Sequence, residues 1–154
     1  MKKMLSVVLL SLSAVSVQAA EMGIGLGIIA GTPTGLTFKK WSDSTTALTA
    51  AAEWSTSSNE KFHFHADMLT HDFNLIQAEE VPGKVGFYYG YGGLVQLNEG
   101  KKKETVLGLR IPIGISLMFN KQPIEVFVEV VPTLNLVPDT EVEVNSAIGG
   151  RYYF

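Results

Sequence analysis

Apolar residues recur at every second position along much of this chain, most clearly between Val106 and Phe119. The odd-numbered positions of this stretch are all large and apolar, whereas the even-numbered positions are small, polar or mixed. The next stretch, Ile124–Leu136, repeats the pattern on even-numbered positions, with Glu125 and Glu129 on the opposite face. A period of two residues is that of a β-strand whose two faces meet different surroundings.

Six further stretches of the chain follow the same period of two residues. Clusters of Gly, Pro, Asn, Asp and Ser separate the stretches and predict hairpin turns between them. Eight strands joined as successive hairpins form an up-and-down antiparallel barrel, and their even number brings both termini to one end. Besides the two stretches above, the predicted strands are Met22–Ala30, Gly35–Trp41, Ala47–Trp54, Lys61–Leu69, Val85–Asn98 and Val144–Phe154.

The composition of the two faces indicates which kind of barrel this is. A soluble barrel or sandwich turns its apolar face inward and its charges outward. Here the apolar face runs uninterrupted for about 13 residues, which at ~3.3 Å per residue and a tilt of ~40° covers ~30 Å, the thickness of a hydrocarbon core. The other face carries charges and glycines, which cannot form a soluble core because unpaired buried charges are costly. We therefore expect an all-β fold, an eight-stranded antiparallel up-and-down transmembrane β-barrel with a polar, side-chain-filled lumen.

The first twenty residues differ in character from the rest. Lys2 and Lys3 precede an apolar stretch that is too short to span a bilayer, and small residues follow it at Ala19 and Ala20. This pattern predicts a secretory signal peptide over residues 1–19, with cleavage after Ala20 as the alternative. The mature barrel then comprises residues 20–154.

Composition and charge exclude several classes of protein. The chain contains no cysteine, which excludes a lipoprotein anchor, disulfide bonds and thiolate metal sites. Removal of Lys2 and Lys3 with the signal peptide leaves 10 Lys and Arg against 15 Asp and Glu, a net charge near −5. We expect no nucleic-acid partner for such an acidic chain, and no cofactor.

Charged and histidine residues fall on the inward face of the predicted barrel. In a narrow and poorly hydrated interior, each charge needs a partner of opposite sign. We therefore expect these residues to form a lumenal charge network, with neighbouring glycines leaving room for the long side chains. The predicted network consists of Glu53, His63, His65, Asp67, Arg110, Glu125, Glu129 and Arg151.

Three members of this network alternate along one strand and have two interpretations. His63, His65 and Asp67 present two imidazoles and a carboxylate, a donor set that suits zinc or a similar ion, and Glu53 on the preceding strand adds a possible fourth ligand. The alternative is that the same groups belong only to the hydrogen-bonded network. The sequence favours the second interpretation, because ligands from a single strand rarely complete a metal site.

The last two predicted strands suggest a specific ion pair. They turn around residues 139–141, and pairing centred near residue 140 places Glu129 directly opposite Arg151. Both residues fall on the inward parity of their strands. Arg110, on the neighbouring strand, is then placed to join Glu125 or Glu129.

The closing segment of the chain resembles the C-terminal signal of bacterial outer-membrane proteins. Val144–Phe154 reads VNSAIGGRYYF, with Phe154 at the terminus and Tyr152 two residues before it. The mature chain resembles small eight-stranded barrels of OmpA/OmpX-like architecture, and its Gly31–Gly35 turn and closing GGRYYF are similar to small outer-membrane barrel families of unassigned function. The resemblance implies the outer membrane of a Gram-negative bacterium, with outer-membrane lipid and lipopolysaccharide as surroundings. It also implies recognition of Tyr152 and Phe154 by the barrel-assembly machinery.

Aromatic residues on the outward face predict two membrane interfaces. With both termini in the periplasm, one belt of aromatic rings lies near the inner interface and another near the outer one. Trp41 is the exception, because it falls on the inward parity. The inner belt comprises Phe87, Tyr89, Phe119, Tyr152 and Phe154, and the outer belt comprises Trp54, Phe62 and Phe64.

The predicted connections differ in length. The longest, residues 71–84, falls on the periplasmic side, whereas every outer connection is short, which argues against an adhesin or receptor. Lys101, Lys102 and Lys103 lie in the third outer loop. They form either a contact to lipopolysaccharide phosphates or a solvated charge run at the loop tip.

No motif in the sequence establishes a reaction. Ser116 points into the predicted lumen, but it has no nucleophile-elbow context, and its strand is not adjacent to the one that carries the histidines. Eight strands leave an interior just wide enough for side chains. We expect a non-enzymatic barrel of structural or envelope-integrity type with no open pore. The alternatives are a lipid-A-modifying barrel enzyme, a small-solute or ion channel, and a lipopolysaccharide-binding barrel.

Overall fold

The computed structural model describes residues 23–31, 33–55, 60–100 and 103–154. The predicted signal peptide, Lys101 and Lys102 lie outside these residues. The described chain folds into antiparallel strands, and none of its segments is a helix long and apolar enough to cross a membrane. The strands are β1 Ile24–Gly31, β2 Thr34–Trp41, β3 Thr46–Ser55, β4 Lys61–Asp72, β5 Gly83–Asn98, β6 Glu104–Arg110, β7 Ile113–Phe119, β8 Ile124–Val137 and β9 Glu141–Tyr153.

The strands close into a ring. Strands β1 to β5 pair in chain order, β6 and β7 each pair with β5 and with β8, β8 pairs with β9, and β9 pairs with β1. Every pairing is antiparallel. The predicted all-β, up-and-down antiparallel architecture is therefore confirmed. The ring closes between its first and last strands, because β1 and β9 pair from Gly25↔Tyr153 to Gly31↔Ala147.

The predicted number of eight strands is wrong, because the sixth predicted strand is divided in two. β6 ends at Arg110 and β7 begins at Ile113, so that Ile111 and Pro112 separate them. Proline has no N–H to donate and interrupts the hydrogen-bond ladder. Both segments nevertheless pair with β5 on one side and β8 on the other, so they occupy one position of the ring.

Burial alternates along the strands as the period of two predicts. In β4, His63 and His65 are buried inside the barrel, whereas Phe62 and Phe64 are 40% and 45% exposed on its outer surface. Trp41 is buried on the inward face without a bulge in its strand, and its ring packs with Ala47 and Tyr153.

The predicted register of the last hairpin is also wrong. β8 and β9 pair Glu125 with Arg151, and Glu129 lies opposite Ala147. The hairpin centres on residue 138, two residues before the predicted centre, and Pro138 lies in the turn. The difference moves each partner by four positions, an even number, so every side chain keeps its face.

A short turn joins β2 to β3. The carboxylate of Asp43 accepts hydrogen bonds from the backbone N–H groups of Thr45, at 2.8 Å, and Thr46, at 2.7 Å. These bonds stabilise the charged carboxylate and hold the pKa of Asp43 below its usual value. Aspartate at the start of a tight turn is typical for this reason.

Candidate functional site

The interior of the barrel holds all the charged residues that the sequence assigns to the lumen. Each is buried, with at most 8% of its surface exposed. The structure adds Lys39 and His71, together with the hydroxyl groups of Tyr88 and Tyr153, which the sequence interpretation did not include. Lys39 was detectable, because it shares the inward parity of β2 with Thr37 and Trp41. The eight anticipated residues are Glu53, His63, His65, Asp67, Arg110, Glu125, Glu129 and Arg151.

Glu125 is the centre of the first of two groups, which we call the Glu125 network. Its carboxylate accepts hydrogen bonds from Lys39 Nζ at 2.6 Å, Tyr153 Oη at 2.6 Å and Arg151 Nη1 at 3.1 Å. Arg151 also donates from Nε and Nη2 to the hydroxyl of Thr37, at 3.2 and 2.9 Å. The fully buried carboxylate thus faces two cations, which compensates for its removal from water.

An aromatic cluster lies beside this network, at the end of the barrel. Lys39 Nζ lies 4.3 Å from the centroid of the Trp41 ring and donates to His71 Nε2 at 2.9 Å. His71 Nδ1 then donates to the carbonyl oxygen of Thr45 at 3.2 Å, which fixes its tautomer. Phe73, from the connection between β4 and β5, stacks 5.9 Å from His71. The long connection therefore returns an aromatic side chain to the barrel end.

Asp67 is the centre of the second group, the Asp67 network. Its carboxylate lies 3.0 Å from His65 Nδ1 and 2.9 Å from Arg110 Nε. His65 Nε2 lies 2.8 Å from Glu53, on the preceding strand. On the other side, Arg110 Nη2 lies 3.6 Å from Glu129. Arg110 therefore joins Glu129, one of the two partners anticipated for it.

His65 lies between two carboxylate groups. Both of its ring nitrogens face carboxylate oxygens, of Glu53 and Asp67, which can only accept hydrogen bonds. A neutral imidazole carries one N–H and an imidazolium carries two, so this arrangement suits the imidazolium form of His65. With His65 in its imidazolium form, the two networks together hold four cations and four carboxylates. These are Lys39, His65, Arg110 and Arg151 against Glu53, Asp67, Glu125 and Glu129.

The neighbouring His63 does not complete a metal site. Its ring centroid lies 5.6 Å from that of His65, and its Nε2 is buried without a hydrogen-bond partner. Across the described ranges, no three His, Asp or Glu side chains are arranged to hold a metal ion. His65 and Asp67 therefore belong to the Asp67 network, whereas His63 lies next to it.

Ser116 is not placed for nucleophilic catalysis. Its side chain is fully buried on the inward face of β7, and its hydroxyl has no hydrogen-bond partner among the described residues. Activation of a serine requires a base within hydrogen-bond reach. Gly86 lies opposite Ser116 on the paired strand, and the Phe73 ring covers that glycine.

The other predicted site residues lie on the outer surface or at its rim. Tyr152 and Phe154 are half-buried with ring centroids 5.2 Å apart, and the Phe154 N–H donates to the Ile24 carbonyl at 2.9 Å. Lys103 is exposed beside the start of β6. Trp54 and Phe62 pair at the opposite end of the barrel from Tyr152.

Comparison with known proteins supports the fold. No protein-family model matches the chain, and no curated protein matches its sequence. The structure is similar to the crystal structure of the N-terminal β-barrel domain of Pseudomonas aeruginosa OprF, with a TM-score of 0.64 and 10% sequence identity. The match covers 87% of this chain and 98% of that domain. The predicted resemblance to small outer-membrane barrels of OmpA-like architecture is confirmed at the level of fold.

Proposed function

We propose that the mature chain is an integral β-barrel of the bacterial outer membrane, of structural or envelope-integrity type, with neither an open pore nor catalytic activity. The observation that carries this proposal is the inverted polarity of the barrel. Its charges lie inside, while large apolar side chains cover its outer surface: Leu26, Ile28 and Val128 are 50%, 65% and 50% exposed.

Water is an unfavourable solvent for this outer surface. Soluble monomers rarely expose contiguous apolar patches larger than a few hundred Å². Here large apolar side chains are exposed on strands all around the ring, including Leu36 on β2, Leu109 on β6 and Val130 on β8. A hydrocarbon environment removes the cost of exposing them, and the closed ring satisfies the backbone groups that lipid cannot.

The height of the apolar surface fits a bilayer. On β8 the outward positions run from Ile124 to Leu136, which corresponds to ~30 Å along the membrane normal for a strand tilted by ~40°. Aromatic rings lie at both ends, with Trp54 and Phe62 at one and Tyr89 and Tyr152 at the other. Such belts are typical of the two headgroup regions.

The filled interior supports the absence of an open pore. Eight positions around the ring leave room for side chains but not for a wide channel. Two charge networks and the rings of Tyr88, Phe127 and Tyr153 occupy that room. The role we infer is therefore one of structure within the envelope.

The orientation follows from the two ends of the barrel. β1 begins and β9 ends at the same end, where residues 73–82 form the longest described connection. We place this end in the periplasm, reached through the predicted signal peptide. Tyr152 and Phe154 are then available to the barrel-assembly machinery. Lys103 lies at the outer rim with Lys101 and Lys102 next to it in sequence, where lipopolysaccharide phosphates are the available anions.

Cell fractionation tests this proposal. We expect the mature protein in the outer-membrane fraction, with heat-modifiable mobility on gels because a closed barrel resists unfolding in detergent without heating. A variant lacking residues 1–19 serves as the matched control and should remain in the cytoplasm. Recovery of the full chain as a soluble periplasmic protein would overturn the proposal.

A further inference from the structure

Five apolar side chains meet inside the barrel, and we call them the apolar layer. They are buried to between 2% and 8% exposure and pack on one another as a single cluster. They come from β1, β3, β4, β5 and β8, and Ala147 of β9 packs against them. With Ala147, the cluster draws on six of the eight positions around the ring, so its contacts reach across much of the lumen. The layer consists of Ile29, Ala51, Leu69, Tyr88 and Phe127.

The apolar layer lies between the two charge networks. The face of the Phe127 ring covers the Arg151 guanidinium at 4.0 Å, on the side of the Glu125 network. The Tyr88 ring lies 5.9 Å from Lys39 in the same network, while its hydroxyl donates to Glu129 of the Asp67 network at 2.9 Å. Among the described residues, no ion pair links one network to the other.

Glycines on the adjacent strands let the two large rings of the layer pack tightly. A Cβ atom at Gly149 would overlap the Phe127 ring, and one at Gly114 would overlap the Tyr88 ring. The two rings therefore pack directly against the backbone of these glycines. Close packing of apolar rings on backbone is what a dry constriction requires.

We infer that the apolar layer is the permeability barrier of the barrel. This inference rests on the proposed function, since only a barrel that spans a membrane has two solutions to separate. An ion that entered from either side would meet charged partners in the networks, but it would have to lose water without compensation at the layer. The charged residues hold the lumenal side chains in place, and the apolar layer blocks the passage of ions.

Ion flux through reconstituted vesicles tests the inference. The double variant Ile29→Ala/Leu69→Ala removes apolar volume from the layer without touching a charged contact. We expect it to raise potassium efflux from phosphatidylcholine–phosphatidylglycerol vesicles at least about tenfold over the native barrel, because a widened constriction becomes wet. The matched control, Leu26→Ala/Ile28→Ala on the outward face of β1, should leave efflux unchanged. Heat-modifiable mobility on gels shows that the protein in each sample is folded.

Two further variants separate the layer from other possible barriers. Lys39→Met/Glu125→Met removes an ion pair but leaves the layer intact, and Phe73→Ala opens the aromatic cluster at the barrel end. We expect potassium efflux through each of these variants to equal that through the native barrel. Efflux that rises in either variant but not in Ile29→Ala/Leu69→Ala would overturn the inference, as would efflux through the native barrel. Failure of the folded native chain to insert into vesicles would instead contradict the proposed function.

A thiol probe tests the dryness of the layer in detergent, independently of membrane insertion. The chain has no cysteine, so Ala51→Cys supplies a single thiol inside the layer. We expect its reaction with a charged methanethiosulfonate reagent to be slow, because a dry apolar site disfavours the thiolate. Leu69→Ala in the same chain should accelerate the reaction at least about tenfold as water enters. Ser44→Cys, at an exposed turn, should react quickly in both backgrounds, and equally rapid reaction at position 51 would refute a sealed layer.

Discussion

At the scale of single residues, Glu125 accepts hydrogen bonds from more side chains than any other carboxylate described here. It accepts from Lys39, Arg151 and Tyr153, three side chains from two different strands, and it is fully buried. A buried ion pair adds little net stability relative to apolar residues of similar size, but loss of one partner leaves an uncompensated charge. The order of the network therefore depends on the presence of this carboxylate.

Truncation of Glu125 should be strongly destabilising. Glu125→Ala leaves Lys39 and Arg151 buried without their shared anion, and we expect a loss of roughly 3–5 kcal/mol. Urea unfolding of the barrel in lipid vesicles, followed by tryptophan fluorescence, measures this loss. Glu143→Ala, a control at an exposed position of β9, should change the free energy of unfolding by less than about 0.5 kcal/mol.

A double variant shows whether the effect comes from the unpaired charge. Lys39→Met/Glu125→Met replaces one cation and the carboxylate by apolar side chains of similar length, and it should cost less than Glu125→Ala alone. If the double variant is as unstable as the sum of the two single variants, Lys39 and Glu125 are not coupled. The 2.6 Å contact would then contribute no pairwise energy.

At the scale of elements, proline sets two features that the alternation of residues does not show. Pro112 divides one position of the ring into β6 and β7, and Pro138 lies at the centre of the β8–β9 hairpin. Proline cannot donate a ladder hydrogen bond, which accounts for the interruption at Pro112. β9 is also the element that closes the ring, and it ends beside the start of β1.

Phe154 should matter for assembly more than for stability. Its ring is half-buried on the outer surface, and its backbone contributes a single hydrogen bond to Ile24. Deletion of Phe154 should therefore lower the amount of folded barrel in cells, measured as the heat-modifiable fraction, while refolding in detergent stays nearly intact. Phe119→Ala, another half-buried outward aromatic, is the matched control and should leave assembly in cells unchanged. Equal losses in cells and in detergent would identify Phe154 as a packing residue.

At the scale of the whole molecule, the inverted polarity and the filled lumen argue for a structural barrel. A lipid-modifying enzyme would need a nucleophile that its substrate can reach. Ser116 is fully buried inside the ring, and apolar residues Ile115 and Leu117 flank it on the outward face. The barrel therefore presents no serine of β7 on its outer surface.

We expect lipid A to be chemically unchanged by this protein. Mass spectrometry of lipid A from cells with and without the gene should give the same acyl pattern. Cells producing Ser116→Ala are the control for any difference. A changed acyl pattern that disappears with Ser116→Ala would establish the enzymatic alternative.

The residue pattern alone determined which side chains face inward. Strand parity is a local property, because successive side chains point to opposite faces whatever the rest of the chain does. His63, His65 and Asp67 therefore lie inside the barrel as expected, and the single inward tryptophan, Trp41, is identified by parity alone. Long runs of alternating residues also gave the strand positions to within a few residues of those observed.

Only the tertiary structure decided which inward residues meet. The Arg151 partner changed from Glu129 to Glu125 because the register depends on where one hairpin turns. The approach of Lys39 to Glu125, 86 residues apart, depends on how the ring closes and how far its strands are displaced along one another. The separation of the charges into two networks by an apolar layer follows from the same closure, because contacts across the lumen join residues that no local period relates.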